Sequence, residues 1–466
     1  MDTVLQNILE AKEQRAIARQ KIAESDMVSL SLSLNIPGYP KSDGLIKVFF
    51  DTCLKELKIF LLSYRITILE DQELNQKDHA GDFYLVPLLL KDSQAIYIKK
   101  ITEIFEEEHP CGRLLDVDIT DQKGNPVSSG KAKKCYYCNQ YPAIYCMRTQ
   151  AHDMGELKQK IQKDINSYLN NKIKERISKD LSAEALKSLL HEVALTPKPG
   201  LVDRLSNGSH TDMDFAMFLN SSAVLSVYFQ EIVDFGYTFS GNDISEALPR
   251  LRQVGMRMEE DMFLETHGVN THKGAIFLLG FSLFVGAYLI AQENFSYLKF
   301  VDILKELNGN LVDRELVQRM YPNQKTHGEV CFEKYGKKGN GIRGEIQEGL
   351  PAVFKFAIPS LSKHFDGKKI ITDKLLNEGL TIALLALMAN NNDSNILYRK
   401  GEKILEELKV KSHQAYISYG SFAFKSKYQG LIDYCHVNQI SPGGSADLLA
   451  VALFLYKINR RYGFLK

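Results

Sequence analysis

Two carboxylates stand two residues apart in Gly112-Arg113-Leu-Leu-Asp116-Val-Asp118. If Leu114 to Ile119 is a strand, Asp116 and Asp118 share a face and Val117 points the other way. Such a pair can share Mg²⁺, as nucleotidyl transfer requires, because the metal holds triphosphate oxygens and offsets charge on departing pyrophosphate. The same residues also suit the solvated face of an ordinary strand. Cys135, Cys138, Cys146 and His152 follow with the spacing C-x2-C-x7-C-x5-H. Three thiolates and an imidazole are enough to close a tetrahedral zinc site, and a site with four protein ligands is structural rather than catalytic. The plain alternative is a set of reduced, partly buried cysteines. Lys131, Lys133 and Lys134 precede them and fit a solvated face, a phosphate contact or a contact with an acidic carrier protein.

Later in the chain, polar or glycine-rich blocks interrupt apolar segments. They are Thr196-Pro-Lys198-Pro-Gly200-Leu-Val-Asp203, His210-Thr-Asp212-Met-Asp214, Thr266 to Gly274, Asp393-Ser-Asn395 with Arg399, and Ser441-Pro-Gly443-Gly444-Ser-Ala-Asp447. A further region holds Thr326-His-Gly-Glu329 and Gly341-Ile-Arg343-Gly-Glu345. Lys198, Lys273, Arg343 and Arg399 supply positive charge for phosphate. Asp203, Asp212, Asp214, Glu329, Glu345, Asp393 and Asp447 are candidates to hold Mg²⁺ or to act as acid and base. His272, Asn395, Gly443 and Gly444 complete the candidate substrate-binding set. Each block alone has a duller reading: Pro-Lys-Pro-Gly stops a helix, and Asp212 and Asp214 suit helix N-caps. His267 and His272 are five apart, which does not place two ligands on one helix face.

The elements that would position these residues divide the chain. At 466 residues it exceeds the usual domain of about 100–200 residues, so two domains are expected. Val28-Ser-Leu-Ser-Leu-Ser-Leu34 alternates like a half-buried strand, and Phe83 to Leu90 and Leu114 to Ile119 are further strands, with one or two helical turns over Ile101 to Glu108. Leu157 to Asp180 is charged and reads as a linker helix with little to bury. From Leu181 onward apolar residues recur at helical spacing. We expect an α+β first domain over 1–180 and an all-α helical bundle over 181–466. The apolar run Ala275 to Ala291 follows one block, Leu380 to Ala389 precedes another, and Ala446 to Ile458 follows a third. If the middle helix runs antiparallel to the other two, all three blocks meet at one end of the bundle, where helix N-termini favour phosphate. The run 275–291 reads as a buried core helix and no second run of similar length accompanies it, so no membrane association is expected.

Composition is that of an ordinary globular protein, 44% hydrophobic and 25% charged with a net charge of +1, which gives no long-range attraction for nucleic acid. Seven cysteines and no export leader point to the cytoplasm.

In order, Glu13-Gln-Arg15, Leu34-Asn-Ile-Pro-Gly38 with Lys41, Glu108-His109-Pro-x-Gly112-Arg113-Leu-x-Asp116-x-Asp118 and the Cys135 to His152 cluster resemble the apo-citrate lyase phosphoribosyl-dephospho-CoA transferase family. That resemblance implies a nucleotidyltransferase-like domain moving a phosphoribosyl-dephospho-CoA unit onto a serine of the apo acyl carrier (gamma) subunit of citrate lyase, with release of pyrophosphate. Asp116 and Asp118 would then hold Mg²⁺ and Arg113 would meet phosphate. Leu195-Thr-Pro-Lys-Pro-Gly-Leu-Val-Asp203, Gly268-Val-Asn-Thr-His-Lys-Gly-Ala275, Gly341-x-Arg-Gly-Glu345 and Ile440-Ser-Pro-Gly-Gly-Ser-Ala-Asp-Leu-Leu449 resemble the triphosphoribosyl-dephospho-CoA synthase family, which also includes the corresponding malonate decarboxylase enzyme. That resemblance implies joining of ATP and 3′-dephospho-CoA with release of adenine. Two departures stand out: Ser394 where threonine is usual, and Lys400-Gly401 where two glycines usually follow the arginine. Of the many carboxylates, Asp203, Asp212 and Asp447, with Lys273, are the expected metal and triphosphate set. The rival readings are a helical Mg²⁺-dependent nucleotide hydrolase with a regulatory domain, and a zinc-ribbon contact with nucleic acid.

Overall fold

A computed structural model describes residues 2–89, 94–317 and 327–463, so Leu90 and Thr326 lie outside the described residues. The chain forms two compact units, Met1–Ile173 and Lys174–Lys466.

The first unit contains α1 (Asp2–Ala23), β1 (Val28–Leu34), α2 (Gly44–Ser63), β2 (Leu74–Asp78), β3 (Gly81–Leu88), α3 (Ala95–Glu108), β4 (Leu115–Thr120) and α4 (Ala143–Arg148); α5 (Met154–Ala194) carries the division between the units. Its four strands form an antiparallel sheet in the order β2-β3-β1-β4, an α+β arrangement. Alternation correctly marks β1, but the expected half-burial does not hold. β1 is an inner strand, and Ser29 and Ser31 on its polar face are 1% and 2% exposed. Helix α1 accounts for part of that cover, since Arg19 Nη2 donates to Ser31 Oγ at 2.9 Å and Arg15 lies over the Phe83 ring. On the apolar face, Leu30 and Leu32 join Phe49, Phe50 and Leu57 of α2 and Ile98, Ile101 and Phe105 of α3 in one core. Each such side chain, fully buried, contributes about 1.5–3 kcal/mol. The helix expected over 101–108 begins earlier, at Ala95. The charged stretch 157–180 is helical within α5, yet it is more than a linker: Ile161, Ile165 and Tyr168 are buried in this core.

The second unit holds no strand among its described residues. It is built from the rest of α5 and from α6 (Phe215–Thr238), α7 (Leu248–Glu265), α8 (Lys273–Ala291), α9 (Tyr297–Asn308), α10 (His327–Tyr335), α11 (Gly341–Gln347), α12 (Ile358–Phe365), α13 (Asp373–Asn390), α14 (Ser394–Lys400), α15 (Glu402–Ile417), α16 (Phe424–Val437) and α17 (Gly443–Tyr462). Helices α8, α13 and α17 form its centre; α17 packs against both of the others. Helix α8 is apolar all round because neighbours surround it, as its packing against α6, α7, α9 and α17 shows. Both α6 and α8 are long and apolar enough to cross a membrane, but 72% of the most apolar window of α8 is buried inside the unit, as a core helix requires.

Candidate active sites

Asp116 and Asp118 lie on one face of edge strand β4, opposite Ser33 and Ser31 of β1. Their side chains are 34% and 45% exposed, so a cation carried in with a triphosphate can reach them. Positive charge already gathers there. Lys133 Nζ lies 3.1 Å from Asp116 Oδ1 and 3.1 Å from Glu106 Oε2, and Lys99 Nζ lies 3.7 Å from Asp118 Oδ1. Burial lowers the affinity of Lys133 for its proton, but Glu106 and Asp116 outweigh that and raise it. Arg113 sits on a short turn, Gly112–Leu114, and donates through Nη2 to the Lys134 carbonyl, while its Nε is buried without a partner. Gly112 is required by close approach: a Cβ there would lie 1.7 Å from the Glu106 carbonyl oxygen.

Cys135, Cys138, Cys146 and His152 bring their ligand atoms within 4.8 Å of one another, with Cys138 Sγ 3.8 Å from Cys146 Sγ. Backbone N–H groups of Tyr141 and Gln140 hold the Cys138 thiol down at about 6, whereas burial pushes Cys146 up to about 11. Asn139, in the left-handed region at φ 53°, turns the chain so that those amides face the sulfur. A second group, Cys53, Glu56 and His109, is equally tight. Its hydrogen bonding argues against metal. Cys111 N–H donates to His109 Nδ1 at 3.0 Å, so the ring proton sits on Nε2, 3.2 Å from Glu56 and 3.0 Å from Tyr168. Burial opposes charge on Glu56, but hydrogen bonds from His109, Tyr168 and Lys172 prevail and hold it at about 2. His109, central to the motif, is thus a buried structural residue.

In the second unit the blocks come together. Asp447, in the first turns of α17, reaches the start of α8, where it accepts the Ala275 N–H. A Cβ on Gly274 would lie 2.0 Å from Asp447 Oδ2, so a larger residue there would push the carboxylate aside. Asp393 caps α14 through Asn395 N at 3.0 Å and also accepts Ser445 N of α17 at 3.1 Å. Ser209 Oγ donates to the Ile440 carbonyl at 2.8 Å, and His210 Nε2 lies 2.7 Å from Ser441 Oγ. Lys198 is 2% exposed and pairs with Glu192 at 2.7 Å. Burial, then the charges of Glu192 and Asp393, pushes Asp447 well above the usual carboxylate range. Burial likewise raises Asp393 to about 6 and Glu345 to about 7; the two line a cavity of ≈ 10 Å³, room for a single water.

These last two groups predict a pH dependence. A carboxyl whose folded value is raised binds its proton more tightly when folded, so it stabilises the fold at low pH and loses that contribution as pH climbs through the folded value. A displacement of one pH unit in such a value is worth about 1.4 kcal/mol. The substrate-free chain should therefore unfold at a lower temperature at pH 8 than at pH 5, and Glu345→Gln should flatten the trend. A wild-type profile rising with pH, unaltered by that substitution, would contradict it.

Residues 178–465 match the family described as ATP:dephospho-CoA triphosphoribosyl transferase. The chain belongs to this family. Its first unit is a second enzyme family in the same polypeptide, since residues 3–168 match apo-citrate lyase phosphoribosyl-dephospho-CoA transferase. Similar chains share both parts: Protein CitXG of Leuconostoc mesenteroides subsp. cremoris is 30% identical over 97% of each chain, and Protein CitXG of Haemophilus influenzae is 30% identical over 97% of this chain and 95% of its own. A probable 2-(5''-triphosphoribosyl)-3'-dephosphocoenzyme-A synthase of Vibrio cholerae is 35% identical over 59% of this chain and 86% of its own. These relationships lend no support to the hydrolase or nucleic-acid readings.

Within the triphosphoribosyl transferase unit, the expected residues differ in what they face. Asp203 is 3% exposed and its oxygens accept backbone N–H groups of Lys198, Leu205 and Ser206, an organiser of the Pro-Lys-Pro-Gly loop. Asp212 is largely exposed and lies 3.6 Å from His210, while Asp214 caps α6. Lys273 pairs with Glu259, and Arg343 pairs with Glu315 at 2.8 Å. Glu329 is buried on α10. Asn395 borders Gly443, and the charge of exposed Arg399 reaches His210. His272 is 3% exposed; its Nδ1 lies 2.8 Å from Ser221 Oγ, which Thr271 Oγ1 in turn approaches at 2.8 Å. Thr271 donates to Ser221, Ser221 and Nδ1 share a hydrogen bond whose direction follows the tautomer, and Nε2 is buried without a partner. Burial and the charge of Lys198 push this imidazole down to about 3, so it stays neutral. Ser221 and Glu192 escaped the sequence reading: each lies inside a helix, and no motif marks it.

Proposed function

We propose that the second unit joins ATP to 3′-dephospho-CoA at the meeting point of α8, α14 and α17, and that the first unit passes the product to the apo acyl carrier subunit of citrate lyase. Citrate lyase prosthetic-group biosynthesis is the shared business of the two families; the placing of its steps on these residues is our own reading. The observation that carries it is Asp447, a desolvated carboxyl beside the N-terminus of α8 whose hold on a proton is strengthened by burial and by the charges of Glu192 and Asp393. A hydroxyl of dephospho-CoA attacks the anomeric carbon of ATP as the bond to adenine breaks. The transition state has oxocarbenium character, and adenine needs a proton as it leaves. Asp447 is placed to give that proton, Asp393 to take the one from the attacking hydroxyl, and His272 Nε2 to hydrogen-bond the substrate. Lys198, Lys273 and Arg399 supply charge for the triphosphate, with Mg²⁺ held by carboxylates of the same end.

In the nucleotidyltransferase-like first unit, Asp116 and Asp118 hold Mg²⁺ with the triphosphate, and Arg113 and Lys133 meet its oxygens. The carrier serine attacks the phosphorus next to the ribose and pyrophosphate leaves. The donor set at Cys135, Cys138, Cys146 and His152 suits zinc, and we place the protein in the cytoplasm. The test is free adenine released from ATP and Mg²⁺ with and without 3′-dephospho-CoA. Release that ignores dephospho-CoA would overturn the reading. Asp116→Asn should lower labelling of the apo carrier subunit by about 10²–10³-fold, the scale of losing a charge-stabilising group, with adenine release intact. Loss of both activities in a folded variant would refute separate sites.

A further inference from the structure

We propose that zinc bound by Cys135, Cys138, Cys146 and His152 fastens the segment that presents Lys133 and receives Arg113, and so organises the transfer site without touching substrate. This rests on the first unit being the carrier-modifying half.

The donor set is complete and closed. Three sulfurs and one imidazole nitrogen gather within 4.8 Å, Cys135 and Cys146 are 8% and 5% exposed, and His152 Nε2 is buried without a partner. Tetrahedral zinc with sulfur at about 2.3 Å and nitrogen at about 2.0 Å asks for such a set, and no position is left for a reacting water. The ligands are supplied by a small folded-back loop. Lys134 bridges Pro142, Cys135 N donates to the Tyr141 carbonyl at 2.8 Å, and Ala143 N donates to the Lys133 carbonyl at 2.9 Å. Tyr136 and Tyr137 tie the loop to α5, donating to Asp164 at 2.5 Å and to Glu156 at 2.7 Å, but the ligand-bearing turn beyond them is open. The segment before it is largely exposed from Glu103-bound Ser129 onward, and Tyr141, Ile144, Tyr145 and Met147 around it are all more than half exposed, so the loop has scant apolar core. Metal adds a cross-link inside this exposed turn, between Cys135 and His152.

What the loop holds is the candidate transfer site. Lys133 is two residues before Cys135 and bridges Asp116 and Glu106, and it also approaches the Leu115 carbonyl at 3.4 Å. Lys134, adjacent to Cys135, offers its carbonyl to Arg113. Release of the metal frees both ends of this strand. Lys133 and Arg113 are then no longer fixed relative to Asp116 and Asp118, and misplacement by about 1 Å can cost about 10²-fold in rate. Lys133 and Arg113 would thus be positioned by the metal loop, with the cysteines acting only through them.

The experiment uses the full chain. Zinc counted by elemental analysis should be about one per chain, as a closed four-ligand site binds. Cys138→Ser should lose the zinc and, with it, about 10²-fold of carrier labelling by the wild-type chain, while adenine release by the same preparation reports that the other unit remains folded and is unchanged. Lys133→Met should retain zinc and lose labelling to a similar extent. Zinc-free, fully active wild-type protein overturns the metal site. Zinc lost from Cys138→Ser with labelling unchanged overturns its positioning role, as does full labelling by Lys133→Met. A wild-type chain that carries zinc and releases adenine but never labels the carrier subunit would instead defeat the reading of the first unit, which the zinc count does not depend on.

Discussion

Asp447→Asn should release almost no adenine, yet its second unit should unfold at a higher temperature than the wild type at pH 8. Both effects arise from the same loss of water. The Asp447 carboxyl lies within the unit, near Glu192 and Asp393, and the Ala275 N–H is the contact that favours its negative charge among the described residues. Ionising it there is costly, and its raised value means that the fold loses stability as pH climbs from the usual carboxylate range toward the folded value. Asparagine has the same shape, keeps an oxygen for the Ala275 N–H and carries no charge at any pH. For every pH unit by which the folded value is displaced, the substitution returns about 1.4 kcal/mol. In a domain of this size class that is about 2–4 °C for each kcal/mol. The gain should vanish at pH 4, where the wild-type group is protonated as well. Activity moves the other way, because an amide cannot give adenine its proton, and loss of a general acid costs about 10²–10⁴-fold. Calorimetry at two pH values and an adenine assay decide it. An active variant would remove Asp447 from the chemistry, and one destabilised at pH 8 would overturn the argument from burial.

The pattern of strand and motif explains how far the sequence could be read. Asp116 and Asp118 were legible because a strand has a period of two, so spacing alone puts them on one face. The cysteine and histidine cluster was legible because ligand spacing is local. The meeting of the Thr271-His272-Lys273, Asp393 and Ser441 blocks was legible from their places at the ends of apolar helices. Burial and partners were not. Ser29 and Ser31 read as a wet face, but helix α1 lies over that face, and α1 has no apolar stripe to announce itself. β2, Leu74-Asn-Gln-Lys-Asp78, is a polar edge strand without an apolar alternation to mark it. Asp203 reads as a metal or triphosphate residue, and the backbone N–H groups that its oxygens accept are invisible in sequence. Ser221 pairs with a residue 51 positions away, a distance no local pattern spans.

Lys198 shows how those hidden partners bear on function, and its replacement is expected to destabilise the second unit strongly. Its ammonium is 2% exposed, donates to the Glu192 carboxylate at 2.7 Å and to the Glu192 carbonyl at 2.9 Å, and Glu192 is itself 7% exposed. Lys198→Met keeps most of the volume but leaves a carboxylate buried without its cation, which costs about 3–5 kcal/mol. Removing both charges, in Lys198→Met with Glu192→Gln, should recover much of the stability, since the stranded charge and not the missing bond is the main cost. Adenine release should not recover. The pair lies beside His272 and Asp447, both of which feel its charges, and its ammonium is the most buried cation at the meeting of the helix ends. If the double variant regains stability and also releases adenine at the wild-type rate, the ion pair is only scaffolding for the Pro-Lys-Pro-Gly loop. If stability returns without activity, Lys198 is retained for its charge toward the substrate, at the expense of a fold that would be as stable without it.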